Sequence, residues 1–427
     1  MWRHDGDMST DLRAPLPDVT GRDLTLDLAR IVAVCLVVVV HLLQVGVGWG
    51  PDGSIITSRP AETQTWFDAA TWIGQIMPLF FVVGGFASAA GWASWTARGG
   101  DAAGFIRTRT LRLTQPATVL FLVVAVVLVT ASLSGIDPGL VEAAAVGVGM
   151  PLWFLAAYLL CQAIVPVAWR AHVLAPRSAL LILLVATVIV DAARFSSGIE
   201  QLGYLNLLFV WPLIQQLGFW YRDGWFDRRS AMTLTVIAVA CYLALGAIVA
   251  WGPYSTSMLA NLNPPTLPLV LLGVAQACLL RLAKPALAAL MRTRAARGTV
   301  FVVGSRLMTV YLWHLPVILL VSGLALLIPG AAPAPASPAW WATRPVVFIV
   351  VAVVLWLLSL PLARVESLGR LGRAPWPLAI AGAWLCVFLP AFAVTLEGMN
   401  MTLAVAGAVL YAGAVVVLRG RATKAER

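Results

Sequence analysis

The stretch Asp27-Leu28-Ala29-Arg30-Ile31-Val32-Ala33-Val34-Cys35-Leu36-Val37-Val38-Val39-Val40-His41 is an aliphatic run that carries an acid, a base and an imidazole. At about 100° per residue, Arg30 and His41 lie about 20° apart around a helix and Asp27 and His41 about 40°, so all three side chains leave from one face. Against lipid each would cost roughly 2.5 to 3.5 kcal/mol. The stripe therefore faces protein or a wet cavity, and it is a candidate functional site.

Working outward, the whole chain has the same character. Of 427 residues, 60% are hydrophobic and 11% charged, with a mean hydropathy of +0.89; soluble domains carry about 25% charged residues. Apolar segments long enough to cross a core of about 30 Å recur from end to end. This composition predicts an all-α polytopic membrane protein with about twelve transmembrane helices. They fall near 25–48, 66–95, 116–134, 147–168, 179–195, 204–220, 231–251, 266–281, 299–328, 342–361, 376–396 and 400–418. The first 22 residues are polar, carry Asp5, Asp7, Asp11 and Asp18 and lack an apolar core. They read as a cytoplasmic tail and not as a cleaved signal peptide.

Loop charge gives an independent orientation, because basic residues collect on the cytoplasmic side of short loops. Placing the amino terminus inside assigns 24 of the 29 basic residues to cytoplasmic segments, with Arg98, Arg107, Arg109 and Arg112 in the loop after the second span. The alternate loops hold only Arg59, Arg194 and Arg344. Both termini are therefore expected in the cytoplasm. The net charge of +10 serves orientation and contact with anionic lipid, so no nucleic acid is expected as a partner.

The five cysteines, Cys35, Cys161, Cys241, Cys278 and Cys386, all lie in apolar spans, and no spacing resembles a metal, haem or iron–sulfur site. No metal and no permanently bound cofactor is expected. Arginine outnumbers lysine 27 to 2 in a chain rich in Ala, Val, Leu and Gly, a usage typical of GC-rich bacterial genomes. The segment Ala332-Pro333-Ala334-Pro335-Ala336-Ser337-Pro338 reads as an external Pro-rich spacer.

Four constellations could carry chemistry. His41 lies about 16 Å deeper than Arg30 at 1.5 Å per residue, near the midplane. A lone histidine there would be explained by a hydrogen bond to a neighbouring helix; the alignment with Asp27 and Arg30 argues for more. Arg109 and Arg112, three apart, could grip a phosphate as paired donor forks, although a positive-inside loop explains their charge equally well. In Met77-Pro78-Leu79-Phe80-Phe81-Val82-Val83-Gly84-Gly85-Phe86, adjacent glycines after a proline permit close helix packing or a cavity-lining backbone. In the ninth span, Tyr311 and His314 are i, i+3 neighbours beside Trp313, either satisfied in the core or functional.

Together these patterns resemble the acyltransferase 3 family of integral-membrane acyltransferases. Its members open with Asp-x-Leu-Arg-Ala and a histidine eleven residues beyond the arginine, matched by Asp27, Leu28, Arg30 and His41, with Ala29 preceding Arg30 instead of following it. A Phe-Phe-x-x-Ser-Gly-Phe segment, a cytoplasmic Arg-x-x-Arg, a Leu-Trp-Phe-Leu segment and a late Tyr-Leu-x-His follow. Here they correspond to Phe80–Phe86, Arg109 with Arg112, Leu152–Leu155 (including Trp153), and Tyr311–His314. Gly84 stands where the family usually has serine. The family core is described as ten spans, which sets 23–361 as core, 362–418 as two added spans, 1–22 as a polar tail and 419–427 as a basic tail.

The resemblance implies transfer of an acyl group, acetyl by default, from cytoplasmic acyl-CoA to a hydroxyl of an envelope glycan, glycolipid or lipid, by a multi-pass protein of the cytoplasmic (inner) membrane. In that scheme His41 is the base; Arg30, Arg109 and Arg112 hold the donor's phosphates; Asp27 pairs with Arg30; and Trp153, Tyr311 and His314 support or line the cavity. Asp52, Arg59, Glu62, Asp191, Arg194 and Glu200, all outside, either contact a polar acceptor or are solvated loop charges. A proton-coupled secondary transporter is the rival from another class, since twelve spans with a few buried ionisable groups suit it too. Against it, the seventh span has nothing like the acid–base stripe of the first.

Overall fold

The computed structural model describes residues 23–50, 52–369 and 371–420. The tail at 1–22, Arg370 and residues 421–427 of the basic tail lie outside the described residues.

Helix follows helix along the chain: α1 (Leu24–Gln44), α2 (Phe67–Gly74), α3 (Met77–Ala97), α4 (Ala102–Leu133), α5 (Pro138–Gly149), α6 (Leu152–Leu174) and α7 (Pro176–Ser197). A 3-10 segment, Glu200–Leu208, leads into α8 (Val210–Arg222), followed by α9 (Ala231–Trp251), α10 (Leu267–Leu290) and α11 (Arg294–Gly304). The series ends with α12 (Leu307–Ala325), α13 (Pro338–Glu366), α14 (Pro377–Glu397) and α15 (Met401–Arg419). Among the described residues, twelve helical segments are long and apolar enough to cross a membrane, so this is an all-α polytopic membrane protein. The starts are chemically marked: the side chains of Asp23, Asp101, Asp137, Ser230, Ser337 and Asn400 each accept a hydrogen bond from a first-turn backbone N–H that the helix itself leaves unpaired.

The boundaries depart from the sequence expectation in an instructive way. The first span stops at Gln44, not 48, because Gly46–Trp49 forms a strand, β1, paired antiparallel with β2 (Ile55–Ser58). Gly46 and Gly48 permit it: a Cβ at Gly46 would meet the Pro60 ring at 2.5 Å, and one at Gly48 would meet Pro335 at 2.7 Å. The Pro-rich segment, which links α12 to α13, also packs on the hairpin. Three expected spans are interrupted. The second breaks at Gln75–Ile76 between α2 and α3, the fourth at Met150–Pro151 between α5 and α6, and the ninth at Ser305–Arg306 between α11 and α12.

Each break is stitched by polar side chains, as interrupted membrane helices require. Gln276 of α10 accepts from Leu79 N–H at 2.8 Å and donates to the Gln75 carbonyl at 2.7 Å. Tyr311 of α12 donates to the Pro151 carbonyl at 2.7 Å. Glu366 of α13 accepts from the Thr309 N–H at 2.9 Å and from its hydroxyl.

The tightest packing pairs α3 with α8. A Cβ at Gly85 would lie 2.2 Å from the Gln215 carbonyl oxygen, and one at Gly218 would lie 2.1 Å from that of Val82; small residues bring the two backbones into contact. The last two spans pack on the core: α15 lies along α4, with the Phe121 and Tyr411 rings 4.6 Å apart, and α14 lies against α6. Arg107 of α4, 6% exposed, donates to the carbonyls of Leu418, Arg419 and Gly372 at 2.6, 2.9 and 3.0 Å.

Candidate active site

One face of α1 lines a cavity of about 120 Å³ over most of its length, through Arg30, Val34, Val37, His41 and Gln44. These positions recur every three or four residues, so the helical period alone places them on one stripe. From Arg30 to Gln44 the stripe rises about 21 Å. The opposite wall comes from the three helix breaks, which supply Gln75 and Met77, Pro151 and Trp153, and Leu307 and Met308.

Aromatic rings fill the middle. Phe154 sits edge-on to Phe80 at 5.0 Å and to Tyr311 at 4.9 Å, and is stacked with Tyr158 at 5.3 Å. Trp153, 8% exposed, stacks on Trp211 at 5.5 Å. The Arg30 guanidinium stands 5.9 Å from the Phe80 ring centre, within cation–π range. The cavity is thus charged near the start of α1, apolar in the middle, and polar again at His41 and Gln44.

Behind His41 stands the fully buried His314. Its Nδ1 lies 2.7 Å from the Tyr311 carbonyl and 3.2 Å from that of Val310. Carbonyls only accept, so Nδ1 carries the proton and, in a neutral ring, Nε2 accepts. That Nε2 is 3.1 Å from Nδ1 of His41, which is itself 3.0 Å from the Val37 carbonyl. Two acceptors around one nitrogen place the proton of His41 on Nδ1. Its Nε2 then keeps a free lone pair, on a ring that lines the cavity.

The arginines divide. Arg30 lines the cavity. Arg109 is half-buried, with its Nη2 where a Cβ on Gly91 would be, 2.1 Å away, and it interacts electrostatically with Tyr158, Arg112 and Arg30. Tyr158 belongs to the cavity wall, of which Arg109 itself is not a part. Arg112 is exposed on α4. Asp27 is half-buried in the first turn of α1 and is not part of the cavity wall.

Gly84 faces the Tyr158 ring, which a Cβ there would approach to 3.3 Å; the missing side chain leaves room for a cavity-lining tyrosine. Of the outer charges, Asp191 is 1% exposed and accepts from Asn206, Tyr254 and the Leu267 N–H at 2.8, 2.9 and 2.9 Å. It joins α7, the 3-10 segment and α10, and is neither solvated nor open to an acceptor. Arg194 pairs with Glu200.

Gln44 and Tyr158 were not singled out from the sequence, and Phe80 and Phe154 entered only as members of the segments Phe80–Phe86 and Leu152–Leu155. Gln44 carried a signal, since it continues the stripe one turn beyond His41. Tyr158 did not, because nothing in its spacing distinguishes a cavity wall from ordinary core.

A family model described as an acyltransferase domain matches residues 23–362. No curated protein and no solved structure matches the chain.

Proposed function

We infer the activity from one premise: the chain belongs to the acyltransferase family whose domain it matches over residues 23–362, and is a membrane-embedded acyltransferase. On that premise we propose that it moves an acyl group, acetyl by default, from cytoplasmic acyl-CoA to a hydroxyl of a cell-envelope glycan, glycolipid or lipid, in the cytoplasmic membrane.

The observation that carries this reading is the single cavity joining Arg30 to His41. An acyl-CoA is polyanionic at its nucleotide end, apolar along much of its pantetheine arm, and reactive at its thioester. Arg30, Arg109 and Arg112 offer guanidinium forks to the phosphates. The aromatic middle accommodates the arm and excludes water from the thioester. His41 stands where the thioester would arrive.

The acceptor hydroxyl gives its proton to Nε2 of His41 as its oxygen attacks the thioester carbonyl. The new C–O bond forms, the C–S bond breaks, and the imidazolium returns the proton to the departing thiolate. His314 acts on His41 and not on substrate: by accepting a hydrogen bond from the His41 Nδ1–H it fixes the tautomer that leaves Nε2 basic. No acyl-enzyme is needed, and transfer is direct.

The test is incubation of membranes containing the protein, or its His41→Ala variant, with acetyl-CoA labelled in the acetyl group, followed by counting of envelope lipid and glycan fractions. Label that enters a fraction only with intact His41 supports the reading. Absence of label above background with acetyl, succinyl and longer donors overturns it.

A further inference from the structure

Apart from the candidate active site, and sharing no residue with it, a cavity of about 360 Å³ is enclosed by α7, α8, α9, α10 and the connection from α8 to α9. Arg177 and Arg229 line it, the first at the start of α7 and the second just before α9. Its aliphatic lining lies deeper. Leu180 is a turn into α7, and Ile237 is about 9 Å beyond the start of α9 at 1.5 Å per residue. On α10, Arg281 forms an ion pair with Asp227 of the same connection and so marks the level of the arginines; Cys278 and Val274 stand one and two turns further in. The cavity is therefore charged at its mouth and apolar for roughly 10 Å below it. The carboxylates nearest the mouth in sequence are engaged elsewhere, Asp223 by His172 at 2.9 Å and Asp227 by Arg281 and Lys284. Among the described residues neither Arg177 nor Arg229 has an acidic partner. Two positive charges are thus left unbalanced. Both α7 and α9 face outward, with 17% of the apolar stretch of each buried, so the cavity stands where a lipid can enter from the side.

We propose that this cavity holds one anionic glycerophospholipid, with its phosphate between Arg177 and Arg229 and an acyl chain running inward beside α9 and α10. The proposal is independent of the acyl-transfer reading. The two guanidinium forks suit a phosphate, and the apolar depth suits a hydrocarbon chain. A soluble phosphate would leave that depth empty, and a zwitterionic lipid would bring its own cation against two arginines. The loop charges assign this end to the cytoplasmic leaflet, whose anionic lipids attract basic residues. Bound there, the lipid joins the outward helices α7 and α9 to α10.

The experiment titrates the full chain in detergent with dioleoylphosphatidylglycerol, dioleoylphosphatidylcholine or sn-glycerol 3-phosphate, with and without CoA. Native mass spectrometry counts the ligand retained, and thermal unfolding reads its effect. Wild type is compared with Arg177→Gln/Arg229→Gln and with Ile237→Trp, which fills the apolar depth without changing charge. A control, Arg98→Gln/Arg294→Gln, removes two exposed arginines elsewhere. The expected result is one phosphatidylglycerol per chain, held about ten-fold or more tighter than phosphatidylcholine and raising the melting temperature. That preference should be lost in Arg177→Gln/Arg229→Gln, retention should fall in Ile237→Trp, and the control should keep both. Equal retention of the two lipids overturns the proposal, as does equal loss in the two arginine pairs, which would make the attraction general to the surface. Equal stabilisation by sn-glycerol 3-phosphate, or full retention in Ile237→Trp, overturns it in favour of a site for the headgroup anion alone. Displacement of the lipid by CoA overturns it by giving the cavity to the donor. The comparison of the two arginine pairs decides even where Ile237→Trp fails to fold.

Discussion

Nε2 of His314 lies 3.1 Å from Nδ1 of His41, between helices separated by more than half the chain. The contact gives the two rings unequal duties. His41 lines the cavity, and His314 is fully buried behind it. His41→Ala is therefore expected to abolish transfer, by about 10² to 10⁴-fold if general base catalysis is its role, while acyl-CoA still binds. Single-turnover kinetics beside a donor-binding isotherm separate the two; equal losses in both would make His41 a binding residue.

His314→Ala removes one of the two acceptors of the His41 Nδ1 proton and leaves the Val37 carbonyl, 3.0 Å away. The expected loss is smaller, about ten-fold in kcat with KM for the donor unchanged. His314→Gln, whose side-chain oxygen can accept the same proton, should recover part of it. A purely structural histidine would not be rescued in kcat by glutamine, and its loss would appear in thermal stability instead.

The three arginines should separate by position. Arg30 lines the cavity, Arg109 is half-buried against Gly91, and Arg112 is exposed. Substitution of Arg109 by alanine should weaken acyl-CoA binding more than that of Arg112, and the Arg112 effect should fade first as salt is raised, since exposed charges are the better screened. Titration of donor binding at two ionic strengths tests this. Unchanged binding in the double variant would remove both from the donor site.

Much of the fold was legible in the sequence because lipid imposes a simple rule: long apolar segments, with basic residues in alternate loops. The stripe from Arg30 to His41 was legible for the same reason, being one helix read at one period. The helix breaks were not. Gln75, Met150 and Ser305 interrupt runs whose mean hydropathy stays high, and each break persists because a distant group, Gln276, Tyr311 or Glu366, satisfies its backbone. The His41–His314 pair was hidden likewise, since both histidines were visible but not their meeting.

Adjacent glycines in α3 should respond differently to the same change. A Cβ at Gly84 would stop 3.3 Å from the edge of the Tyr158 ring, which can turn away, but one at Gly85 would lie 2.2 Å from the Gln215 backbone oxygen. Gly84→Ala is expected to cost under about 1 kcal/mol, and Gly85→Ala about 1 to 3 kcal/mol or more, because α3 and α8 must part. Thermal unfolding in detergent would show it. Equal melting temperatures would mean that the helices are not held at that contact.

Arg107 offers the sharpest test of how the last two spans belong to the molecule. Its buried guanidinium joins three carbonyls, at Leu418 and Arg419, where α15 ends, and at Gly372 before α14. The C-terminal carbonyls of a helix lack intrahelical partners, so Arg107→Ala leaves several unpaired at once. At roughly 1.5 to 3 kcal/mol for a hydrogen bond to a charged group, the loss should be on the order of 3 kcal/mol, even with water replacing part of the contact. Arg107→Lys should restore little, because one ammonium cannot reproduce the planar fork. Limited proteolysis should then cut first between α13 and α14, releasing α14 and α15 as one fragment. If cleavage there is no faster than in wild type, it is the α4–α15 and α6–α14 packing that holds these spans, and Arg107 serves only to orient the loop.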